Sequence, residues 1–354
     1  MTTLFDSLKI GKVELRNRMV MAPMTRGRAD NAGTQPDIVG EYYAQRASAG
    51  LLITEAVCIS PMAKSGSNLP GIYTAEQLRS WKAVTAEVHK KGGKIFMQLI
   101  HTGRMAMPDF LPENALPVSA SAIPAKGQSY TPQGMKDLVT PRALTTNEIR
   151  HIIKDFAVAA KNAIDCDFDG VELHAAYGYL IHQFLGTNSN LRTDEYGGNE
   201  ENRARFLLEC ADAIIAVIGA DRMGIRISPG DPLHDMEDAN AEEFYPYIIN
   251  KLNNRNLAYL HVAFASERLT NAELHGLLRQ AYKGVYLANG GFTKESGENL
   301  LAKGGADAIV YGKLFLANPD LPERFAKNAG LNIPDPSTFY MTGKQGYTDY
   351  PYLG

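Results

Sequence analysis

The densest run of chemically useful side chains in this sequence is Val171-Glu-Leu-His174-Ala-Ala-Tyr177-Gly-Tyr179-Leu-Ile-His182. It sets an imidazole and two phenols at the end of an apolar stretch. A phenol can donate a proton, and an imidazole N–H can hydrogen-bond a carbonyl oxygen. The same residues could equally be a capped strand end with tyrosines packed at its rim. Arg226 interrupts the apolar run Met223-Gly-Ile-Arg-Ile-Ser228. A guanidinium there is costly unless it meets an anion, either a bound group or a buried carboxylate such as Glu55. Gln98 sits likewise within Ile95-Phe-Met-Gln-Leu-Ile100. Its amide suits the donor and acceptor edge of a heterocycle, or a satisfied core position. Gly290-Gly291-Phe292-Thr293 and Gly312-Lys313 each follow an apolar run and open a helical pattern. Singly they read as ordinary turns. As a pair they suit a phosphate, because small residues let backbone N–H groups approach an anion at a helix start.

Eight short apolar runs must position these groups: Met19–Met24, Leu51–Ala56, Ile95–Ile100, Gly170–Ala175, Met223–Ser228, Tyr259–Phe264, Gly284–Asn289 and Asp307–Gly312. They lack strict in/out alternation, as strands covered on both faces do. Helical stripes lie between them. Leu78, Trp81, Val84, Thr85 and Val88 form one, behind Thr74-x-x-Gln77. Ile149, Ile152, Ile153, Phe156, Ala160, Ala163 and Ile164 form another, behind Thr145-x-x-Glu148. Phe206, Leu207, Cys210, Ile214 and Val217 form a third. Both prefixes have the pattern of a capping box. Eight strand–helix units predict a single-domain (β/α)8 TIM barrel in the α/β class. A doubly wound sheet is the competing architecture, disfavoured because nothing breaks the alternation. Leu8–Leu15 reads as a hairpin closing the barrel's bottom. The Pro-, Ser- and Gly-rich segment 101–141 reads as a capping loop after the third strand. In such barrels catalysis occurs at the C-terminal strand ends, and the loops after strands seven and eight bind phosphate.

Composition narrows the function classes. With 354 residues the chain can bury about three-quarters of its unfolded surface. It carries 36 basic and 39 acidic residues, a net charge of −3, which argues against a nucleic-acid or membrane partner. Cys58, Cys166 and Cys210 are scattered without a CxxC pair. That excludes a disulfide framework or zinc ribbon, and no metal is expected. There is no apolar run of the ~20 residues a bilayer needs, and Met1-Thr-Thr-Leu-Phe-Asp6 lacks the basic start of a signal peptide. The expected location is the cytoplasm. Missing GxGxxG, GxxxxGK[ST], HExxH and GxSxG patterns remove a Rossmann dehydrogenase, a P-loop enzyme, a zincin and an α/β-hydrolase.

The sequence resembles the Old Yellow Enzyme flavoproteins almost from end to end. The matching segments include Met21-Ala-Pro-Met-Thr-Arg26, Gln98-Leu-Ile-His-Thr-Gly-Arg104, Gly170-Val-Glu-Leu-His-Ala175, Gly178-Tyr-Leu-Ile-His-Gln-Phe184, Arg192-Thr-Asp-Glu-Tyr-Gly-Gly198 and Gly346-Tyr-Thr-Asp-Tyr-Pro351. Bacterial nitrate-ester and N-ethylmaleimide reductases are the members it looks most like. The resemblance implies non-covalent FMN, reduced by NADPH or NADH, and electron-poor alkenes as substrates. It implies that Ala22, Pro23, Met24 and Ala56 pack on the flavin ring and that Thr25 bonds its O4. Gln98 would bind the pyrimidine edge and Arg226 would face N1 and O2, while Gly290, Gly291, Gly312 and Lys313 would hold the phosphate. His174 and Tyr177 would anchor the substrate's carbonyl or nitro oxygen. Hydride would pass from flavin N5 to Cβ and a proton from Tyr179 to Cα, with Ile100, Gly66 and Tyr347 shaping the substrate side. Reductive denitration of nitrate esters is the alternative on the same scaffold. A flavin-free phosphate-binding lyase or isomerase is a remote one, disfavoured because the strand ends offer no central lysine. A monomer or weak homodimer is expected. Four positions depart from the family pattern: Tyr177 for His or Asn, Ile100 for Trp, Gly66 for an aromatic, and Lys313 for Arg.

Overall fold

The computed structural model describes residues 2–264 and 272–354. Its centre is a closed barrel of eight parallel strands. These are β3 (Met19–Met21), β4 (Leu51–Cys58), β5 (Ile95–Ile100), β10 (Gly170–Ala175), β11 (Met223–Ile227), β12 (Tyr259–Ala263), β13 (Tyr286–Asn289) and β14 (Ala308–Tyr311), and β14 pairs back onto β3. The eight expected runs are the eight barrel strands. The first ends three residues early, at Met21, and the second runs on to Cys58 past a register shift between Ile53 and Ala56.

Helices cover the outside: α1 (Ile38–Gln45), α2 (Ala75–Lys90), α3 (Thr146–Asp165), α4 (Leu180–Leu185), α5 (Glu200–Ile218), α6 (Ala241–Asn253), α7 (Ala272–Ala281), α8 (Lys294–Ala302), α9 (Lys313–Ala317) and α10 (Leu321–Lys327). Thr74 and Thr145 cap α2 and α3, each side chain accepting the N–H of the residue three along while Gln77 or Glu148 reaches back. Along α5, Phe206, Leu207, Cys210 and Ile214 are buried, but Val217 is exposed: the stripe ends one turn before the helix does.

The hairpin is β1 (Leu8–Ile10) with β2 (Val13–Leu15), antiparallel. Ile10, Val13 and Leu15 pack in one cluster with Val20, Ile53, Phe96, Leu287 and Val310 from the barrel interior, so the hairpin plugs the N-terminal mouth. Two glycines make that layer possible. A Cβ on Gly224 would sit 2.2 Å from the Tyr259 ring, and one on Gly170 2.5 Å from the Phe96 ring. Segment 101–141 contains short helical turns, the strand β6 (Val118–Ser119) and the hairpin β7 (Gln128–Thr131) with β8 (Gly134–Asp137). β6 pairs in parallel with β9 (Arg142–Ala143). Buried Arg104 ties the segment to the loop after β11 by donating to the carbonyls of His234 (3.1 Å) and Asp235 (2.9 Å). No helix among the described residues is long and apolar enough to cross a membrane.

Candidate active site

Successive inward side chains of a barrel strand stack in layers, and the upper layers here are polar. Two residues beyond the plug, Gln98, Glu172, Arg226, His261 and Asn289 point inward from β5, β10, β11, β12 and β13. Above them His174 and Ile100 reach a cleft of about 370 Å3. Its walls bring together Pro23, Thr25, Ala56, Gly66, Gln98, Ile100, His174, Tyr177, Tyr179 and Arg226 from segments far apart in sequence, with Ser65, Leu69, Thr102 and Leu233 alongside. A larger groove of about 950 Å3 lies between α1 and α2. Its charged lining residues are Asp37, Glu41, Arg79, Glu87 and Lys91.

Arg226 has no carboxylate partner within bonding distance among the described residues. Its Nη2 donates to Asn289 Oδ1 (3.1 Å) and, more weakly, to the Tyr177 hydroxyl (3.4 Å). Its Nε is buried and unpartnered. Glu55, the alternative partner, is committed elsewhere: it accepts from the N–H groups of Arg26 and Gly27 and from Gln35 Nε2. Gln98 is half satisfied, for Nε2 donates to Glu172 while no described residue donates to Oε1.

The imidazole of His174 is almost fully buried. Its Nδ1 accepts the N–H of Ala176 (3.3 Å), so the proton resides on Nε2. Burial, helped by the Arg226 charge, holds its pKa well below the ordinary histidine value. It is a neutral hydrogen-bond donor. The rings of His174 and Tyr179 lie edge to face with centroids 5.0 Å apart. Burial pushes the Tyr179 phenol up to about 12, which keeps its proton in place near neutrality.

Tyr177 adopts a left-handed backbone, φ +53°, uncommon for an aromatic residue. Its N–H donates to Ser228 Oγ (2.8 Å) and its carbonyl accepts from His234 Nδ1 (2.7 Å). The next N–H, from Gly178, donates to His182 Nδ1 (2.9 Å), and buried His182 is itself anchored on Asp238. Side chains from α4 and from the loop after β11 therefore hold the strained turn. The arginine stacks on the Tyr177 ring, 4.9 Å from its centroid.

The two glycine turns are neighbours, because β13 and β14 run in parallel register with Asn289 opposite Val310. Gly291 has φ +73°, which favours glycine. A Cβ on Gly312 would be 3.6 Å from Met24 Sδ and 3.8 Å from Ala22 Cβ, placing this turn against the residues before Thr25. Gly290, Gly291, Gly312 and Lys313 lie outside the cleft walls but join them through Asn289 and Met24. An unpaired cation, an open amide oxygen and adjoining glycine turns suit a flat, anion-bearing heterocycle with a phosphate tail.

Tyr347 is not brought to the cleft. It is fully buried, stacked on Tyr42 at 4.0 Å, with Arg26 and Arg28 against its ring. The residues that sequence reasoning passed over are Glu172, Ser228 and His234. Glu172 was detectable, since it precedes His174 by two and must share its inward direction. Ser228 and His234 act through backbone contacts that leave no pattern.

Residues 3–332 match the family described as NADH:flavin oxidoreductase / NADH oxidase. The chain belongs to that family. It is 43% identical over 360 residues to 12-oxophytodienoate reductase 1 of Oryza sativa subsp. japonica, spanning 99% of this chain and 93% of the relative. It is 41% identical over 360 residues to 12-oxophytodienoate reductase 2 of Arabidopsis thaliana, spanning 99% and 96%. Among solved structures, morphinone reductase in complex with tetrahydroNAD superposes with a TM-score of 0.96 at 43% identity, covering 100% of this chain and 98% of the other. The Old Yellow Enzyme homologue from Zymomonas mobilis superposes at 0.96 with 38% identity, covering 99% and 100%. This flavoprotein is an FMN-dependent NAD(P)H oxidoreductase on a TIM barrel.

Proposed function

We propose that this oxidoreductase reduces the activated C=C bond of small α,β-unsaturated carbonyl or nitro compounds. The observation that carries the reading is the meeting of a neutral imidazole and a protonated phenol on one cleft wall, edge to face at 5.0 Å. When bound, FMN would supply hydride-transfer chemistry between NAD(P)H and the activated alkene. The protein's own residues do the rest. His174 Nε2–H, with the Tyr177 hydroxyl, binds the substrate oxygen and draws electron density toward it as negative charge develops. Tyr179 gives its proton to Cα. Arg226 would offset negative charge on the reduced cofactor, Gln98 would hold its pyrimidine edge, and Thr25, Ala56 and the segment Ala22–Met24 would hold its ring. The glycine turns with Lys313 would hold its phosphate. Ile100 and Gly66 leave the substrate side wide. We further read the enzyme as cytoplasmic, a monomer or weak homodimer, acting on small molecules without nucleic acid or membrane.

Purified protein should be yellow, bleach anaerobically with NAD(P)H, and recolour when cyclohexenone is added. A colourless protein that cannot be reconstituted with FMN would overturn the proposal.

A further inference from the structure

Below the cleft lies a buried carboxylate that the chemistry above leaves unused. Glu172 on β10 stands in register with Gln98 on β5, and both are buried. Gln98 Nε2 donates to Glu172 Oε1 at 2.7 Å, and His261 Nδ1 meets Oε2 at 2.8 Å. Burial raises the cost of charge on Glu172, but the His261 contact, the Arg226 guanidinium and the Gln98 amide outweigh it and hold the carboxyl below its usual range. Burial meanwhile pushes His261 down, so its Nδ1–H serves as a neutral donor.

A carboxylate can only accept hydrogen bonds. The Gln98 amide therefore has one allowed orientation: Nε2 toward Glu172 and Oε1 away from it. Gln98 is a cleft wall residue, and nothing among the described residues donates to Oε1. The cleft consequently presents an acceptor beside the Arg226 cation. Without Glu172 the amide could turn over and present a donor instead.

We propose that Glu172 is a positioning residue of the cofactor site: it sets the Gln98 amide so that the cleft accepts an imide N–H, and it counterbalances the charge of Arg226. The inference rests on the FMN reading, since the pyrimidine edge of a flavin carries one imide N–H between two carbonyls. Its two parts have opposite consequences on removal of the charge. Losing the amide orientation weakens cofactor binding, whereas losing the counter-charge leaves Arg226 unopposed and eases formation of anionic reduced flavin.

The test uses the full chain after removal and re-addition of FMN. Glu172→Gln keeps the side-chain volume and removes the charge. We expect its FMN dissociation constant to rise roughly tenfold, about the value of one hydrogen bond, and its flavin reduction potential to move to more positive values. General loosening of the site would weaken binding without raising the potential. In the Gln98→Ala background, Glu172→Gln should weaken binding no further. Wild-type protein alone provides a second measurement, independent of whether the variant folds: N3-methylated FMN, which lacks the imide N–H, should bind more weakly than FMN. Unchanged affinity and potential in Glu172→Gln, or equal wild-type affinity for both flavins, would overturn the proposal. Failure of wild type to take up FMN would overturn the cofactor reading as well.

Discussion

The two ends of this barrel are built from the same strands and could hardly differ more. Along β5 the inward pair is Phe96 then Gln98; along β12 it is Tyr259 then His261; along β13, Leu287 then Asn289; along β10 and β11, a glycine followed by Glu172 and Arg226. Two residues, about 6.6 Å of strand, separate an apolar layer from a polar one. The lower layer is sealed by the hairpin and filled by aromatic rings that occupy the space of the missing glycine side chains. The upper layer holds a buried guanidinium bonded to Asn289, with no carboxylate on it among the described residues, and a buried carboxylate serving an amide. Isolated buried charges are costly, so a layer of this kind persists only where neighbouring structure supplies the stability. One end makes the fold stable and the other uses that stability for a site.

If that division holds, substitutions at the two ends should fail in different ways. The largest effect is expected at the top. Tyr179→Phe should slow alkene reduction by ~10²–10⁴-fold, the usual contribution of a general acid, while flavin reduction by NAD(P)H stays near wild type. Stopped-flow measurement of the two half-reactions separates these, and equal slowing of both would remove Tyr179 from its role. At the bottom, Phe96→Ala should destabilise the chain by about 3–5 kcal/mol through an unfilled cavity. Chemical denaturation should register that loss while the alkene half-reaction per bound flavin is unaltered. A large rate change would show that the layers are not separable.

Acid should also distinguish folding from chemistry. Burial drives His101 down to about 3 and His174 well below its usual value. The unfolded chain, with ordinary histidines near 6.5, therefore binds protons that the native chain refuses. Stability is complete above about pH 6.5 and falls below it, by roughly 1.4 kcal/mol per pH unit for each such histidine. The melting temperature should drop between pH 7 and 5. The alkene half-reaction should show no inflection near 6.5 over the same range, because His174 remains neutral. An inflection there would mean that His174 titrates normally.

The smallest effect sharpens the upper end. Ile100→Trp should narrow the cleft, lowering the rate for a bulky prochiral enone relative to a small one by about tenfold, within the range of pocket-filling effects. It should also change the product enantiomeric ratio. If neither quantity moves, residue 100 does not meet the substrate.

Much of this arrangement is legible in the sequence. The barrel strands were visible because strands covered on both faces are continuous apolar runs, and the two capping boxes because their spacing is set by one helical turn. The interruptions of those runs, at Gln98, His174 and Arg226, marked residues that the structure places in one cleft. Tyr347 was misleading for a clear reason: an aromatic in a motif looks the same whether it faces a ligand or, as here, stacks on Tyr42 between arginines.

By itself the sequence determined the element order, the closed parallel sheet and the inventory of groups at the strand ends, since these follow from local periodicity and from the direction in which a strand sends alternate side chains. Only the tertiary structure decided the partners. That Arg226 meets Asn289 and Tyr177 rather than Glu55, that Gln98 is locked by Glu172, and that Ser228, His234 and His182 hold the left-handed turn at Tyr177 are contacts between residues as many as 74 positions apart. Hydrogen bonds act over about 3 Å whatever the sequence separation, so their pairing exists only once the barrel has closed and brought the strand ends together.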